Sequence, residues 1–545
     1  MRSLRRHLPV RLRQNWRLVG VSLAFLGVVG LVFGSERIRP YVFSASDESG
    51  AAVTENIAGT VDVFDSAAAH DLRLSFTDDD YQRMLDGYFD DGEKEYVEAD
   101  LTIDGTVVPS VGIRLKGNST LGGLMRDGVA QQNQRGGGGG PGGGALPEGF
   151  EGFPGGAGPQ AGQQGGPGGG GMGGRVSLDT ARPEELPWLI KFDEFAEGRR
   201  YQGHQEIAVR VGSGSTSSVM NEALSLDLIA LTGEPIQRYA YSTFAVNDRP
   251  AVTRLLIEHP DEQFADEIGG SVLYKALSTG SFTYKGDDPT GYTEDFKQIN
   301  MIGSQDLAPV IALMKWVGEA SAEEFDAGLA ERVDVRSFAS YVALQNLLLN
   351  FDDMSGPGQN YYLRYDLTTH KISVVTWDLN LTFQGSATQG PFDAGAFGRR
   401  PAGAPQAAPQ DGQQAAPQGD QQGAPQGDQQ GAAPQGGQQG QMPQFNQRGG
   451  GPDGQGGPGG GRMMGGNALK EKALESASFK AVYQEVYRDL YQQLFASGAA
   501  LRQIDVIAAR LATTDPEAAA TDRATLKALV EQRTTALATN EVITG

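Results

Sequence analysis

Residues 71–76 (DLRLSF) alternate apolar and polar positions, the period-two signature of a strand with one buried face. Thr77 follows as a helix N-cap, with Asp78, Asp79 and Asp80 in the first turn, where the helix dipole favours negative charge. Grouped aspartates can also hold calcium, but a cap accounts for these three. Two more alternating runs, 96–103 and 107–115, flank Asp104-Gly105, a strong signal for a two-residue hairpin. Strand patterns recur at 188–192, 206–211, 241–246, 253–258, 361–365 and 372–376, the last two joined by a turn at Thr368-Thr369-His370. Helical patterning predicts helices over 217–231 (closed by Gly233), 304–317, 335–349, 468–497 and 520–538. Sheet first and helices later define an α+β fold, open to a two-lobed arrangement.

Two stretches interrupt the pattern. Residues 127–175, with runs such as GGGGGPGGG, and 386–467, repeating APQGDQQG, hold more than half of the 77 glycines. Such compositions cannot bury enough apolar surface to offset chain entropy. Both are expected to be disordered insertions in one folded body spanning 70–540.

At the N-terminus, six arginines between Arg2 and Arg17 precede an uncharged apolar run over 18–34. That run of about 17 residues sits at the lower edge for a spanning helix and exceeds a signal-peptide core of ~7–15. The expectation for 1–34 is a single-pass transmembrane anchor in a bacterial cell membrane. Its arginines stay cytoplasmic, a linker covers 35–69 and the folded body lies outside. Ser44-Ala45-Ser46 offers a cleavage site for the alternative, a secreted protein with a removed signal.

Charge and composition exclude several classes. A net charge of −22 over 545 residues disfavours nucleic acid as a partner. Without cysteine there are no disulfides, thiolate zinc sites or cysteine nucleophiles. Five histidines leave little for a multi-histidine metal site.

Candidate chemistry gathers between Asn350 and Asn380. A helix ends at Asn350, a loop presents Asp352 and Asp353, Asn360 opens a strand, and Asp378 ends the next one. A hairpin can bring these carboxylates and the carboxamide together. Oxygen ligands of this kind suit Mg²⁺ or Mn²⁺ beside phosphate oxygens. The same trio serves phosphoryl transfer, one aspartate taking the hydroxyl proton while an asparagine and a later aspartate hold metal. Asp-Asp before Ser-Gly-Pro-Gly also reads as an ordinary turn. Outside this segment, Gly286-Asp287-Asp288 reads as a turn rather than a calcium loop. His259 beside Glu258 reads as a packed histidine rather than a general base.

Asn350-Phe-Asp352, Asn360-Tyr-Tyr-Leu363 and Trp377-Asp378-Leu-Asn380 together resemble the hallmark of the CotH kinase family, atypical secreted or surface protein kinases named for spore coat protein H. Gly112-Ile-Arg114-Leu-Lys116-Gly-Asn-Ser119, Ile190-Lys191-Phe192, Asn221-Glu222 and Leu273-Tyr274-Lys275 are similar to other segments of that family, in the same order. The resemblance implies a bilobal kinase-like fold that moves the γ-phosphoryl group of ATP to a protein hydroxyl. By it Asp352 is the catalytic base, with Asp353 a neighbouring candidate, and Asn360 and Asp378 bind Mg²⁺ or Mn²⁺. Lys191, with Lys116 as its rival, contacts the ATP phosphates. Arg114 lies on the strand that carries Lys116, and Glu222 pairs with the phosphate-contacting lysine. Asn380 stands where the family pattern has an aspartate, and no conventional Gly-rich kinase loop is visible. Both departures keep open the alternative of a non-catalytic surface protein on the same fold.

Overall fold

The structure, a computed structural model, describes residues 53–117, 120–130, 177–212, 216–393 and 466–545. The expected anchor and most of both insertions lie outside the described residues. Among the described residues no helix is long and apolar enough to cross a membrane.

Seven strands close into a barrel: β1 (His70–Ser75), β2 (Val97–Ile103), β3 (Thr106–Leu115), β4 (Trp188–Lys191), β5 (Glu206–Arg210), β6 (Tyr239–Val246) and β7 (Val252–Glu258). Their order around the barrel is β5-β7-β6-β1-β2-β3-β4, with β4 returning to β5. The β2–β3 hairpin turns through Asp104 (φ 49°) and Gly105 (φ 81°), both left-handed, which matches the twist of the flanking strands. Asp104 also accepts from the Asp71 backbone N–H at 2.8 Å and from the buried His70 ring at 2.8 Å, tying the turn to β1. Inward-facing Ile113, Trp188, Ile190, Ile207, Val209 and Leu256 form the barrel core. Helix α1 (Asp78–Asp91) adds Tyr81, Met84, Leu85 and Tyr88 to it, and Thr77 caps that helix through the Asp80 N–H, as its sequence predicts.

A second body follows. Strands β8 (Ser271–Ala276), β9 (Phe296–Gln298), β10 (Tyr361–Asp366) and β11 (Ile372–Thr376) make a sheet ordered β9-β8-β10-β11. The helices, in chain order, are α2 (Met220–Ala230), α3 (Glu262–Glu267), α4 (Ala308–Glu319), α5 (Ala322–Arg332), α6 (Val335–Leu347), α7 (Ala468–Glu475), α8 (Ala477–Leu490), α9 (Ala499–Leu511), α10 (Pro516–Ala538) and the short α11 (Glu541–Thr544). Helix α2 is buried nearly all round, its polar Asn221, Glu222 and Ser225 included. Its residues Met220, Leu224 and Ile229 share one core with Tyr239, Tyr241 and Leu255 of the barrel's outer face and with α4, α6, α8, α9 and α10.

The α+β class holds, with a closed barrel rather than a simple leading sheet. Three boundaries also differ from the sequence reading. The single helix expected over 468–497 breaks at Ser476, whose side chain accepts from the Phe479 N–H and restarts the chain as α8. Within the presumed linker, Glu55–Ile57 pairs in parallel with Arg199–Tyr201. Residues 386–393, assigned to the second insertion by composition, are packed: Ala387 is buried, and Tyr483 Oη donates to the Pro391 carbonyl at 2.5 Å.

Strand β7 ends on Glu258, which is 1% exposed and accepts from the Arg238 N–H at 3.0 Å. Burial pushes its carboxyl up to about 7 against the pull of Arg238, and burial likewise raises nearby Asp261 to about 6. Both groups bind a proton more tightly folded than unfolded. Their stabilisation is therefore complete below the ordinary carboxylate range and is lost as pH rises through 6 to 7. Glu258→Gln should remove about 3 kcal/mol of the pH dependence of stability. Urea unfolding at pH 5 and pH 8 measures it; an unchanged difference between the two would contradict the assignment.

Candidate active site

The Asp352 loop is held by its own backbone. Past α6 the chain turns at Leu349 (φ 54°), and the Asn350 side chain accepts from the Asp352 N–H at 3.2 Å. Asp352 is 5% exposed. Its Oδ1 accepts from the Gly358 N–H at 2.6 Å, and its Oδ2 accepts from Asn360 Nδ2 at 3.0 Å. Gly358 has a steric reason: a Cβ there would sit 2.7 Å from both Asp352 Oδ2 and Asn360 Nδ2. Burial, reinforced by the charge of Asp378, pushes the Asp352 carboxyl up to about 6. Asp353 has different partners. It forms an ion pair with Lys470 of α7 and accepts from the Ser355 N–H at 2.8 Å.

Asp378 follows β11 in a left-handed conformation (φ 57°). Arg210 Nη2, at the end of β5, lies 2.9 Å from Asp378 Oδ1 and 3.0 Å from Glu222 Oε1 in the first turn of α2. One guanidinium thus joins barrel, helix and second sheet. Next to it Asn221 Nδ2 donates to the Asn380 carbonyl at 2.8 Å and the Thr382 carbonyl at 3.2 Å. Burial pushes Glu222 up to about 7 despite Arg210. Burial would also raise Asp378, but Arg210 and Lys116 outweigh it and hold that carboxyl below its usual range.

Cations converge on the neighbouring indole. Lys116 Nζ lies 5.0 Å, Lys275 Nζ 5.4 Å and the Arg210 guanidinium 5.6 Å from the ring centre of Trp377. Burial and Arg210 drive Lys116 well below its ordinary value. Burial and Arg114 bring Lys275 down to about 8, and burial with Arg114 and Lys275 does the same to Lys94. Burial is the main cause in each case, with neighbouring cations adding to it and Asp378, Glu222 and Glu206 opposing it at Lys116 and Lys275. A ligand carrying several negative charges would relieve the repulsion among these cations.

The other lysine candidate sits elsewhere. Lys191 pairs at 2.9 Å with Glu194 and lies over Tyr96. Its strand partner on β3 is Gly112, four residues before Lys116, so the two lysines stand roughly 13 Å apart along the sheet. The expected pairing of Glu222 with Lys191 is replaced by Glu222 with Arg210. Arg210 was missed by the sequence reading, although strand alternation over 206–210 puts it on the face that carries Glu206. Lys275 was quoted only as part of a matching segment, and His259 was set aside. His259 instead stands at the site, its ring 5.1 Å from Trp377 and its Nδ1 3.0 Å from Glu206.

Among the described residues no three His, Cys, Asp or Glu side chains gather as a metal cage. A carboxylate and a carboxamide still suit Mg²⁺ when phosphate oxygens and water complete the shell. Arg210 Nη2 meets Asp378 at Oδ1, and this side chain remains 23% accessible.

The Asp352–Asn360 pair, and Asp378 beside the cations around Trp377, are residue types that polyphosphate chemistry uses. A family model described as CotH kinase protein matches residues 177–537, and the chain belongs to that family. The match contains Lys191, Arg210, Glu222, Lys275, Asp352, Asn360 and Asp378; Arg114 and Lys116 precede it. A search of curated proteins returned no match.

Proposed function

We propose that the protein is a CotH-type protein kinase that transfers the γ-phosphoryl group of ATP to a serine or threonine hydroxyl of a protein substrate. The observations that support this reading are the buried Asp352–Asn360 hydrogen bond and the gathering of Lys116, Lys275 and Arg210 around Trp377, the residue next to Asp378. Asp352, oriented by Gly358 and Asn360, takes the proton of the acceptor hydroxyl. That oxygen bonds to the γ-phosphorus while the bond to the β–γ bridging oxygen breaks, and ADP leaves with the electron pair. Asn360 and Asp378 would hold Mg²⁺ or Mn²⁺, which would neutralise phosphate charge. Lys116, Lys275 and Arg114 contact the phosphates, and the Arg210–Glu222 pair fills the place that a lysine–glutamate pair occupies in kinases. The arginine-rich leader supports an anchored, extracytoplasmic location on a bacterial cell.

The ion pair between Arg210 and Asp378, with Asn380 in the pattern's last acidic position, favours the second reading, a non-catalytic surface protein. Incubating the full chain with γ-labelled ATP, Mg²⁺ or Mn²⁺ and protein acceptors separates the two. Label on serine or threonine in wild type, with KM for ATP raised about tenfold in Lys116→Met, is the expected result. Wild type that binds ATP yet never transfers label supports the non-catalytic reading.

A further inference from the structure

Beside the cationic cleft lies a cavity of about 690 Å³ between the barrel and the second sheet. Its walls include Glu206, His259 and Asp261 near the end of β7, Phe195 on the loop after β4, and Ile299 and Ile302 beyond β9. The two regions share a wall, because the His259 ring rests edge-on against Trp377, whose indole carries Lys116 and Lys275. The cavity is unlike the cleft. Its lining mixes carboxylates with Lys191, Arg200 and Lys297, Glu194 pairing with Lys191 and Asp193 with Arg200, and Phe195, 46% exposed, offers a flat apolar face. A ligand spanning both is anionic at one end and aromatic at the other.

His259 has a defined orientation in this wall. Glu206 is held ionised: burial opposes its charge, but His259, Arg114 and Lys275 outweigh that. The contact at 3.0 Å therefore places the imidazole proton on Nδ1, donating to Glu206. Burial keeps the ring neutral, down to about 4, against the pull of Glu206. Nε2 then presents a lone pair, and among the described residues it has no partner.

We propose that His259 is a specificity-determining residue: its Nε2 accepts a hydrogen bond from the 6-amino group of adenine, so that the cavity selects a 6-aminopurine nucleotide. The inference rests on the phosphotransfer reading above and adds to it the side chain that reads the base. Titration calorimetry on the full chain, comparing ATP with purine riboside triphosphate, tests it, since the latter lacks only the 6-amino group. Wild type should bind ATP roughly tenfold more tightly. His259→Phe, which keeps a ring against Trp377, should bring the two affinities together, and His259→Gln, which restores an acceptor, should recover part of the preference. Equal affinities in wild type, or a preference that survives in His259→Phe, would overturn the proposal while leaving the kinase reading intact. Failure of wild type to bind either nucleotide would remove the kinase reading and this inference with it. Should His259→Phe not fold, His259→Leu takes its place: a preference for ATP that survives in it would again overturn the proposal.

Discussion

Asp352→Asn should lower the rate of phosphoryl transfer by roughly 10²–10⁴-fold. The asparagine has nearly the same shape, and its Oδ1 keeps the hydrogen bond from the Gly358 N–H. What it loses is basicity, because a carboxamide cannot take the acceptor's proton, together with the oxygen that accepts from Asn360 Nδ2. ATP affinity should stay within about threefold, since in this reading the phosphates are held by Lys116, Lys275 and Arg114. Asp353→Asn is the matched control. It weakens the ion pair with Lys470 that holds α7 and should cost about 1–3 kcal/mol of stability with little change in rate. Single-turnover transfer and urea unfolding, run on both variants, distinguish base from brace. Equal transfer rates in wild type and Asp352→Asn would remove Asp352 as the base.

Arg533→Ala should destabilise the protein by roughly 3–5 kcal/mol. Arg533 on α10 is 0% exposed, and its guanidinium donates to oxygens of several elements. These include the Ala387 carbonyl at 3.1 Å, the Gln389 carbonyl, the Asn346 carbonyl at 3.0 Å, Asn346 Oδ1 at 2.9 Å and Tyr487 Oη at 3.2 Å. The residue staples α10 to α6, α8 and the segment that follows Asp378. Truncation takes this donor from the Ala387 and Gln389 carbonyls, at a desolvation penalty for each, while Asn346 keeps Tyr487 Oη and the Leu349 N–H as donors. Arg533→Lys should rescue little, because one ammonium cannot reproduce the planar fork. Denaturant unfolding is the measurement; a loss below about 1 kcal/mol would show that the oxygens find other partners.

Local chemistry explains which parts of the fold were readable. Thr77 and its aspartates, the Asp104-Gly105 turn and the alternating runs act within a few residues, so each element they specify is visible in a short window. The capping box Ser321–Glu324 was equally legible and was passed over, which left α5 unassigned. Barrel closure has no such signature. The β6–β1 pairing joins residues far apart in the chain, and nothing in either strand names the other. The candidate site divides in the same way. Asp352, Asn360 and Asp378 stood out because they fall within one short stretch. Arg210 did not, because its partners Glu222 and Asp378 become its neighbours only when barrel, α2 and second sheet meet. Lys116 and Lys191 could not be ranked because the contact of Lys116 with Trp377 joins residues far apart in the chain, whereas Lys191 pairs with Glu194 three residues on.

The parallel pairing of Ser242 with His70 also sets an order of events during synthesis. Strand β1 can pair with β2 as soon as that hairpin emerges, but its other edge waits for β6. At about 5–20 residues per second the wait is on the order of 10 s. Throughout it, a half-built barrel shows an unpaired strand edge, the kind of surface that recruits other chains. Chaperone demand for this protein should therefore peak before residue 246 has been made and fall once β6 has docked.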